Sequence, residues 1–316
     1  MPVTRGLGSS KWINFDMNVE EVKINKSRQP RALVFSVDDN FVMPFQVLFY
    51  SLHVTNSIPG GTPIFILYLE GDLSGDSRET LQGFLEHYNQ EAVFVDTKEK
   101  LPDDLPISED AHVSRATFYR LFVASILPKS VSSALYLDLD TVVVKSIRDL
   151  FDVELKSPVA AVDHLSPENT LRLRGWSGGN YFQAGVLLID LDYWRENNCE
   201  ATFVDIMKKQ RPKIRFWDQD VLNIAFAENW QRLDIWFNVS QAVIATLPED
   251  VVEENMRLLH YDGNHKPWKN GVERSFKEVW SDAYADLFGE RFERPKSSCR
   301  KLCGFVLSQL KSIRHR

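Results

Sequence analysis

Leu135-Tyr136-Leu137-Asp138-Leu139-Asp140-Thr141-Val142-Val143-Val144 is the stretch on which the fold turns. An apolar run leads into an Asp-Leu-Asp triplet, and three valines follow after Thr141. In an extended chain residues i and i+2 face the same way, so Asp138 and Asp140 point to one side while Leu139 points back toward the core. Acids set between two apolar runs are costly unless they are paired or bind a cation. Two carboxylates on one side suit a hard divalent cation. Capping or salt-bridged acids are the alternative, which the pattern alone leaves open. Asp190-Leu191-Asp192 and Asp218-Gln219-Asp220 repeat the spacing without such flanks.

Upstream of this stretch a regular rhythm predicts strands at Ala32–Val37, Pro63–Leu69, Ala92–Val95 and Ala134–Leu137. Between them it predicts helices at Val42–Asn56, Ser77–Tyr88 and Ser114–Leu127, the last stopped by Pro128. Downstream, Val159–Val162 and Gly185–Ile189 read as strands, and Tyr193–Gln210 and Asp218–Glu228 as helices. Strands alternating with helices imply βαβ units, hence an α/β fold with a mixed, mostly parallel central sheet flanked by helices. In such open sheets ligands bind beyond the carboxyl ends of strands. Asp38-Asp39-Asn40 and Asp138-Leu139-Asp140 both fall there.

The 316 residues are 44% hydrophobic, 12% aromatic and 26% charged, which is globular composition and excludes disorder, collagen and coiled coil. A net charge of −7 argues against a nucleic-acid partner. Three cysteines, Cys199, Cys299 and Cys303, are too few for a disulfide scaffold and suit a reducing compartment. Residues 1–31 show no apolar core of a signal peptide, and no run of 18 apolar residues occurs. The expected location is cytoplasmic. We divide the chain into a polar extension (1–31), one α/β domain (32–290) and a basic tail (291–316). The tail carries eight Lys/Arg against one Glu, while the rest of the chain is acidic.

Three further clusters carry polar residues where chemistry could occur. His260-Tyr261-Asp262-Gly263-Asn264-His265-Lys266-Pro267-Trp268 follows an apolar run; Gly263 permits an unusual turn, and Lys266 is placed to reach a phosphate. A His with two carboxylates suits manganese better than magnesium. Phe182-Gln183-Ala184-Gly185 before an apolar strand suggests either close backbone approach or simple packing. Trp217-Asp218-Gln219-Asp220-Val221-Leu222-Asn223 offers Asp218 as a helix N-cap. Walker, dinucleotide, nucleophile-elbow and His-Glu-x-x-His motifs are absent from the sequence. Asp138-Leu139-Asp140-Thr141-Val142 also matches the first motif of haloacid-dehalogenase-type phosphatases, with Asp138 as nucleophile and Asp140 as general acid/base. That motif normally sits on the first strand of its domain, whereas three strand–helix units precede it here.

In their order and flanks these clusters resemble glycosyltransferase family 8, most closely its bacterial lipopolysaccharide and lipooligosaccharide hexosyltransferases. The resemblance runs from about Leu33 to about Trp268. It rests on Phe35 to Asn40, Arg115 to Leu121, Leu135 to Asp140, Phe182 to Leu188, Asp218 to Asn223 and His260 to Trp268. It implies a GT-A type nucleotide-sugar-binding fold, a UDP-glucose or UDP-galactose donor, and retaining transfer to a saccharide or glycolipid acceptor. By the same resemblance Asp138, Asp140 and His260 hold Mn²⁺, with Mg²⁺ as the alternative. Ser36, Asp38 and Asn40 contact uridine, and Gly263 and Lys266 contact the diphosphate. Arg120, Asp163, Asp218 and Gln219 surround the donor sugar, and Asp163, Asp218 and Gln219 are the catalytic candidates. Leu139, Gln183 and Ala184 complete the nucleotide-sugar set, although Gln183 stands where the family usually has Asn. A nucleotide-sugar-binding protein without catalysis is the remaining alternative. In the tail, Leu302, Phe305, Val306, Leu310 and Ile313 fall on one helical stripe among basic residues, which predicts peripheral attachment to an anionic membrane surface on its cytoplasmic face.

Overall fold

A computed structural model of the protein describes residues 31–102, 105, 115–165, 180–227, 229–263, 266–269 and 276–292. All of the polar extension but Arg31 and nearly all of the basic tail, including Cys299, Cys303 and the amphipathic stripe, lie outside the described residues. Among the described residues no helix is long and apolar enough to cross a membrane.

Among the described residues seven strands form the main sheet, in the order β3-β2-β1-β4-β7-β6-β8. They are β1 (Ala32–Ser36), β2 (Ile64–Tyr68), β3 (Ala92–Asp96), β4 (Ser133–Leu137), β6 (Val159–Asp163), β7 (Phe182–Asp190) and β8 (Gln231–Arg232). The strands β1 to β4 pair in parallel, as the alternation of strands and helices demands. β7 runs antiparallel to both β4 and β6, and β8 is parallel to β6, so the sheet is mixed and mostly parallel. A separate two-stranded ribbon joins β5 (Thr141–Val143) to β9 (Leu258–His260).

Alternate residues of β1 feed opposite faces. Leu33 and Phe35 pack under the helices Val42–Val54 and Gly75–His87. Ala32 and Val34 pack under residues 115–126 and the helices Cys199–Lys209 and Trp217–Phe226. Both faces are covered, so the strands read as continuous apolar runs. A third cluster, containing Val142, Leu259, Tyr261, Trp268 and Trp280, anchors the β5–β9 ribbon.

Two helices differ from expectation. Where one helix is expected over 114–127, the described residues form a 3₁₀ segment, Arg115–Phe122, and only a short α-helix, Val123–Ile126. Six of the eight 3₁₀ residues are buried, and Thr117, Phe118, Tyr119 and Phe122 are weak helix formers. The expected helix Tyr193–Gln210 is two, Leu191–Glu196 and Cys199–Lys209. Asn198 breaks it with a φ of 49°, a conformation Asn tolerates. Asp190 caps the first of these helices by accepting from the Tyr193 N–H (2.8 Å), and Asp192 pairs with Arg195, so the second Asp-x-Asp pair is structural.

Candidate functional site

β1 turns the chain one way, to β2 and β3, and β4 lies on its other side. The order therefore reverses between β1 and β4, and a crevice opens beyond their carboxyl ends. Ser36 and Asp38 leave β1 there, and Asp138, Leu139 and Asp140 leave β4. Because β7 is antiparallel, its beginning lies at this same end: the Asp138 N–H donates to Gly185 O (2.8 Å). The ribbon supplies the remaining partner. Thr141 pairs with His260, and the Tyr261 N–H donates to Asp140 O (2.8 Å), which carries His260 to the carboxylates across 120 residues of sequence.

The resulting cleft encloses about 390 Å³. One oxygen each of Asp138 and Asp140 and one ring nitrogen of His260 lie within 4.8 Å of one another. His260 Nε2 is 3.1 Å from Asp140 Oδ1 and 3.9 Å from Asp138 Oδ2. Lys266 Nζ donates to Asp140 Oδ2 and to Tyr261 O. Burial disfavours the Asp140 carboxylate, yet Lys266 and His260 hold it well below the usual range. Burial likewise opposes charge on the His260 ring, and Asp140 beside it outweighs that, so the ring is more basic than usual. Gly263 takes a φ of 74°, the turn expected of it.

Arg120 forms the floor. Its guanidinium donates to Asp138 Oδ1 (2.5 Å), Asp138 Oδ2 (3.2 Å), Ala184 O (2.6 Å) and Thr117 O (3.1 Å), and lies over the Tyr136 ring at 4.4 Å. Its Nε is also 3.0 Å from Asp218 Oδ2. Burial pushes the Asp218 carboxyl up to about 7 against the pull of Arg120. Phe216, not Asp218, occupies the N-cap of Trp217–Phe226. Asp218 sits in the first turn, turned inward to the ion pair. Gln219 is held at both ends: its Oε1 accepts from the Ala184 N–H (2.9 Å), and its Nε2 donates to Tyr181 Oη (2.9 Å). Asn223 bonds both the N–H and the C=O of Phe182, which locks this helix to the start of β7.

The structure brings the anticipated residues Ser36, Asp38, Arg120, Asp138, Leu139, Asp140, Gln183, Ala184, Asp218, Gln219, His260, Gly263 and Lys266 to the lining of one cleft. Asn40 and Asp163 are not among them. Asn40 is exposed, because its N–H donates to Asp38 Oδ1 and the chain turns away; Phe41 lines the cleft instead. The Asp163 carboxylate is bound by Arg232 (3.0 Å), Asn180 (2.7 Å) and the Leu165 N–H (3.0 Å) outside the lining, and its neighbour His164 faces the cleft.

Several partners had not been singled out, notably Tyr136, Tyr181 and Asn238. Asn238 is fully buried and bonds both His260 and Gln183. An amide between Phe237 and Val239 was the available signal, since a buried polar group needs partners. The Phe182-Gln183-Ala184-Gly185 segment does serve a close approach: a Cβ on Gly185 would lie 2.1 Å from His260 Cε1.

Residues 32–271 match the family model of glycosyl transferase family 8. The chain belongs to that family. Among curated relatives it is 32% identical over 173 residues to the glycosyltransferase GlyA of Streptococcus pneumoniae serotype 4, covering 53% of this chain and 23% of that protein. General stress protein A of Bacillus subtilis is 22% identical over 263 residues, 78% of this chain and 91% of that one. The lipopolysaccharide 1,2-glucosyltransferase of Escherichia coli is 25% identical over 181 residues, 53% of each chain. The chain thus spans about a quarter of the length of GlyA and of its Streptococcus gordonii counterpart, 23% and 24%. Among solved structures, the galactosyltransferase LgtC in complex with donor and acceptor sugar analogues superposes with a TM-score of 0.69 at 20% identity, covering 86% of this chain and 99% of LgtC. The family 8 fold is therefore of GT-A type. Membership sets the phosphatase reading aside, and Asp138 indeed follows the fourth strand of its domain rather than the first.

Proposed function

We propose that this family 8 domain transfers a hexose, glucose or galactose, from a UDP-sugar to a hydroxyl of a saccharide or glycolipid acceptor with retention at the anomeric carbon. The observation that carries this reading is the convergence of Asp138, Asp140 and His260 beside Lys266 at the reversal point of the sheet. The donor set fits a divalent cation: two carboxylates and an imidazole whose other nitrogen is already bonded to Asn238 (2.9 Å). These three residues would hold Mn²⁺, with Mg²⁺ as the weaker match. When bound, the cation supplies positive charge that stabilises the departing diphosphate.

The chain's own groups account for the rest. Ser36 and Asp38, at the end of β1, face the nucleoside end of the cleft. Lys266, held in the turn that Gly263 permits, donates to the leaving diphosphate. Asp218 and the Gln219 carbonyl face the opposite side of the sugar, where positive charge develops as the glycosidic bond breaks. Asp163, outside the lining, acts on that site only through the segment ending at His164. An amide is a poor nucleophile, and the Gln219 carbonyl already accepts the Ala184 N–H. The acceptor hydroxyl therefore attacks from the face the diphosphate leaves. Its oxygen bonds to the anomeric carbon, the carbon–phosphate-oxygen bond breaks, and its proton passes to that phosphate oxygen.

The test is UDP release from UDP-glucose and UDP-galactose with Mn²⁺ and then with EDTA. Chelator-sensitive release from one donor, lost in Asp140→Ala, is expected. Donor binding without turnover across a panel of saccharide acceptors would leave a binding protein and refute the transferase. By the likeness to a lipopolysaccharide glucosyltransferase, the acceptor belongs to a cell-surface glycan, and the basic tail carries the enzyme to the cytoplasmic membrane face. Liposome binding that survives deletion of residues 291–316 would sink that last point.

A further inference from the structure

Behind His260 lies a short line of buried amides. The Gly185 N–H donates to Gln183 Oε1 (2.6 Å), and Asn238 Nδ2 donates to the same oxygen (3.1 Å). Asn238 Oδ1 then meets His260 Nδ1 at 2.9 Å. Asn238 is fully buried, and His260 and Gln183 are nearly so, at 3% and 5% exposed.

Side-chain amides can be turned end for end without changing shape, so one unambiguous group must set their direction. Here it is the backbone. The Gly185 N–H can only donate, so the Gln183 atom facing it must be oxygen. That oxygen can only accept, so the Asn238 atom facing it must be the NH₂. The other end of Asn238 is then its carbonyl, and His260 Nδ1 must carry a hydrogen to donate to it. The ring's second nitrogen, Nε2, is left toward Asp138 and Asp140. In the neutral ring Nε2 carries the lone pair, which is the form a metal ligand needs.

We propose that Gln183 and Asn238 are positioning residues that fix the His260 tautomer and ring orientation for divalent-cation binding. The inference rests on the cation-binding reading above. Gly185 completes the arrangement, because the ring edge occupies the space its Cβ would fill. The Gln183 oxygen is engaged twice, so any contact with a sugar hydroxyl would come from its NH₂. With Gln183 unable to accept, Asn238 is free to turn over and present NH₂ to Nδ1. The ring then places its proton on Nε2, against the cation.

Mn²⁺ titration of the full chain, read by the EPR signal of the free ion without and with UDP, separates the roles. Gln183→Met should weaken Mn²⁺ binding by about 10–100-fold, the usual loss for a partner behind a metal ligand. Gln183→Glu offers only accepting oxygens and should restore it. Asn238→Asp is the sharper arm. A carboxylate holds Nδ1–H whatever Gln183 does, so adding Gln183→Met to Asn238→Asp should change Mn²⁺ binding by no more than about twofold, the ordinary limit of additivity. Thermal melts identify any variant that fails to fold, and the Asn238→Asp pair stands in if Gln183→Glu does. Unchanged Mn²⁺ affinity in Gln183→Met overturns the inference. So does an equal loss with and without Asn238→Asp. An unchanged Mn²⁺ affinity with a raised KM for the donor would return Gln183 to a sugar contact. Failure of the unaltered chain to bind Mn²⁺ would overturn the cation reading itself, and this inference with it.

Discussion

Gly185→Ala is the smallest change that should disable the site. Gly185 lies inside β7 with no left-handed backbone angle, so alanine brings no backbone strain there. The whole effect comes from one methyl group. Its carbon would stand 2.1 Å from His260 Cε1, 2.6 Å from Nδ1 and 3.0 Å from Gln183 Oε1. To reach ordinary contact at 3.4 Å the ring must retreat by about 1.3 Å. Metal–ligand distances tolerate about 0.2 Å, so a ring moved that far no longer ligates. It is buried and bonded at Nδ1, so overpacking should cost roughly 1–3 kcal/mol of stability as well. We expect Mn²⁺ binding to fall by at least the ~10–100-fold seen on losing an outer-shell partner, with a lower urea midpoint. The cause is isolated by a cycle with His260→Ala. Without the ring the methyl has room, so Gly185→Ala should then be nearly neutral on both measurements, and the coupling should reach roughly 0.5–3 kcal/mol. Wild-type Mn²⁺ affinity in the single variant, or strictly additive costs in the pair, would refute the steric argument.

Arg120→Ala should be severely destabilising, by roughly 3–5 kcal/mol in urea unfolding, because it strips the counter-charge from Asp138 and from the buried Asp218. Arg120→Lys should recover only part of this, since an ammonium cannot span two carboxylates and a carbonyl. With the Asp218 carboxyl raised to about 7, the folded protein holds a proton that the unfolded chain releases near 3.8. Its contribution to stability is therefore complete below about 4 and is lost as pH rises through about 7. Asp218→Asn should flatten that slope in urea midpoints measured across pH. If the ionised carboxylate serves the reaction, kcat should also rise through pH 7 in the wild type and lose that rise in the variant. EDTA should abolish UDP release and Mn²⁺ restore it. Saturating UDP should tighten Mn²⁺ binding, measured by the same EPR titration.

Much of the scaffold was legible because its strands are buried on both faces and so stand out as uninterrupted apolar runs. Ala32–Ser36, Ile64–Tyr68 and Ser133–Leu137 fall within a residue of where the pattern puts them. β7 was located but begins at Phe182, three residues earlier than expected. Gly185 reads locally as a strand start, whereas its reason for being there is the His260 ring, 75 positions away. The antiparallel direction of β7 leaves no local mark either, yet it is what brings Gln183 and Ala184 to the carboxyl end of β4. Asp138 and Asp140 declared themselves through their apolar flanks. His260 did so only as a residue type that suits a cation beside two carboxylates; the resemblance assigned it to them, because the pairing of Thr141 with His260 is a tertiary event. Asn238 escaped altogether, since one amide in an apolar run looks the same whether it caps, hydrates or positions. Asp163 and Asn40 carried over by resemblance; the Asp163 carboxylate is bonded by Arg232, and Asn40 is exposed beside the Asp38 turn, outside the lining of the cleft.

The charges of the site explain why cation and nucleotide should depend on each other. Three buried or half-buried carboxylates, Asp138, Asp140 and Asp218, face three basic groups, Arg120, Lys266 and His260. Arg120 is committed to several acceptors at once and has no reason to move. Lys266 is different: its ammonium rests on Asp140, an oxygen the cation also needs. A cation arriving alone must take a neutral His260 and share Asp140 with Lys266, which leaves an ammonium under-compensated in a partly buried cleft. Such a charge is costly. A diphosphate removes the cost, since it gives the cation further oxygens and Lys266 a new acceptor in the same step. Each ligand therefore supplies the charge the other lacks, which is why the two should bind more tightly together than apart.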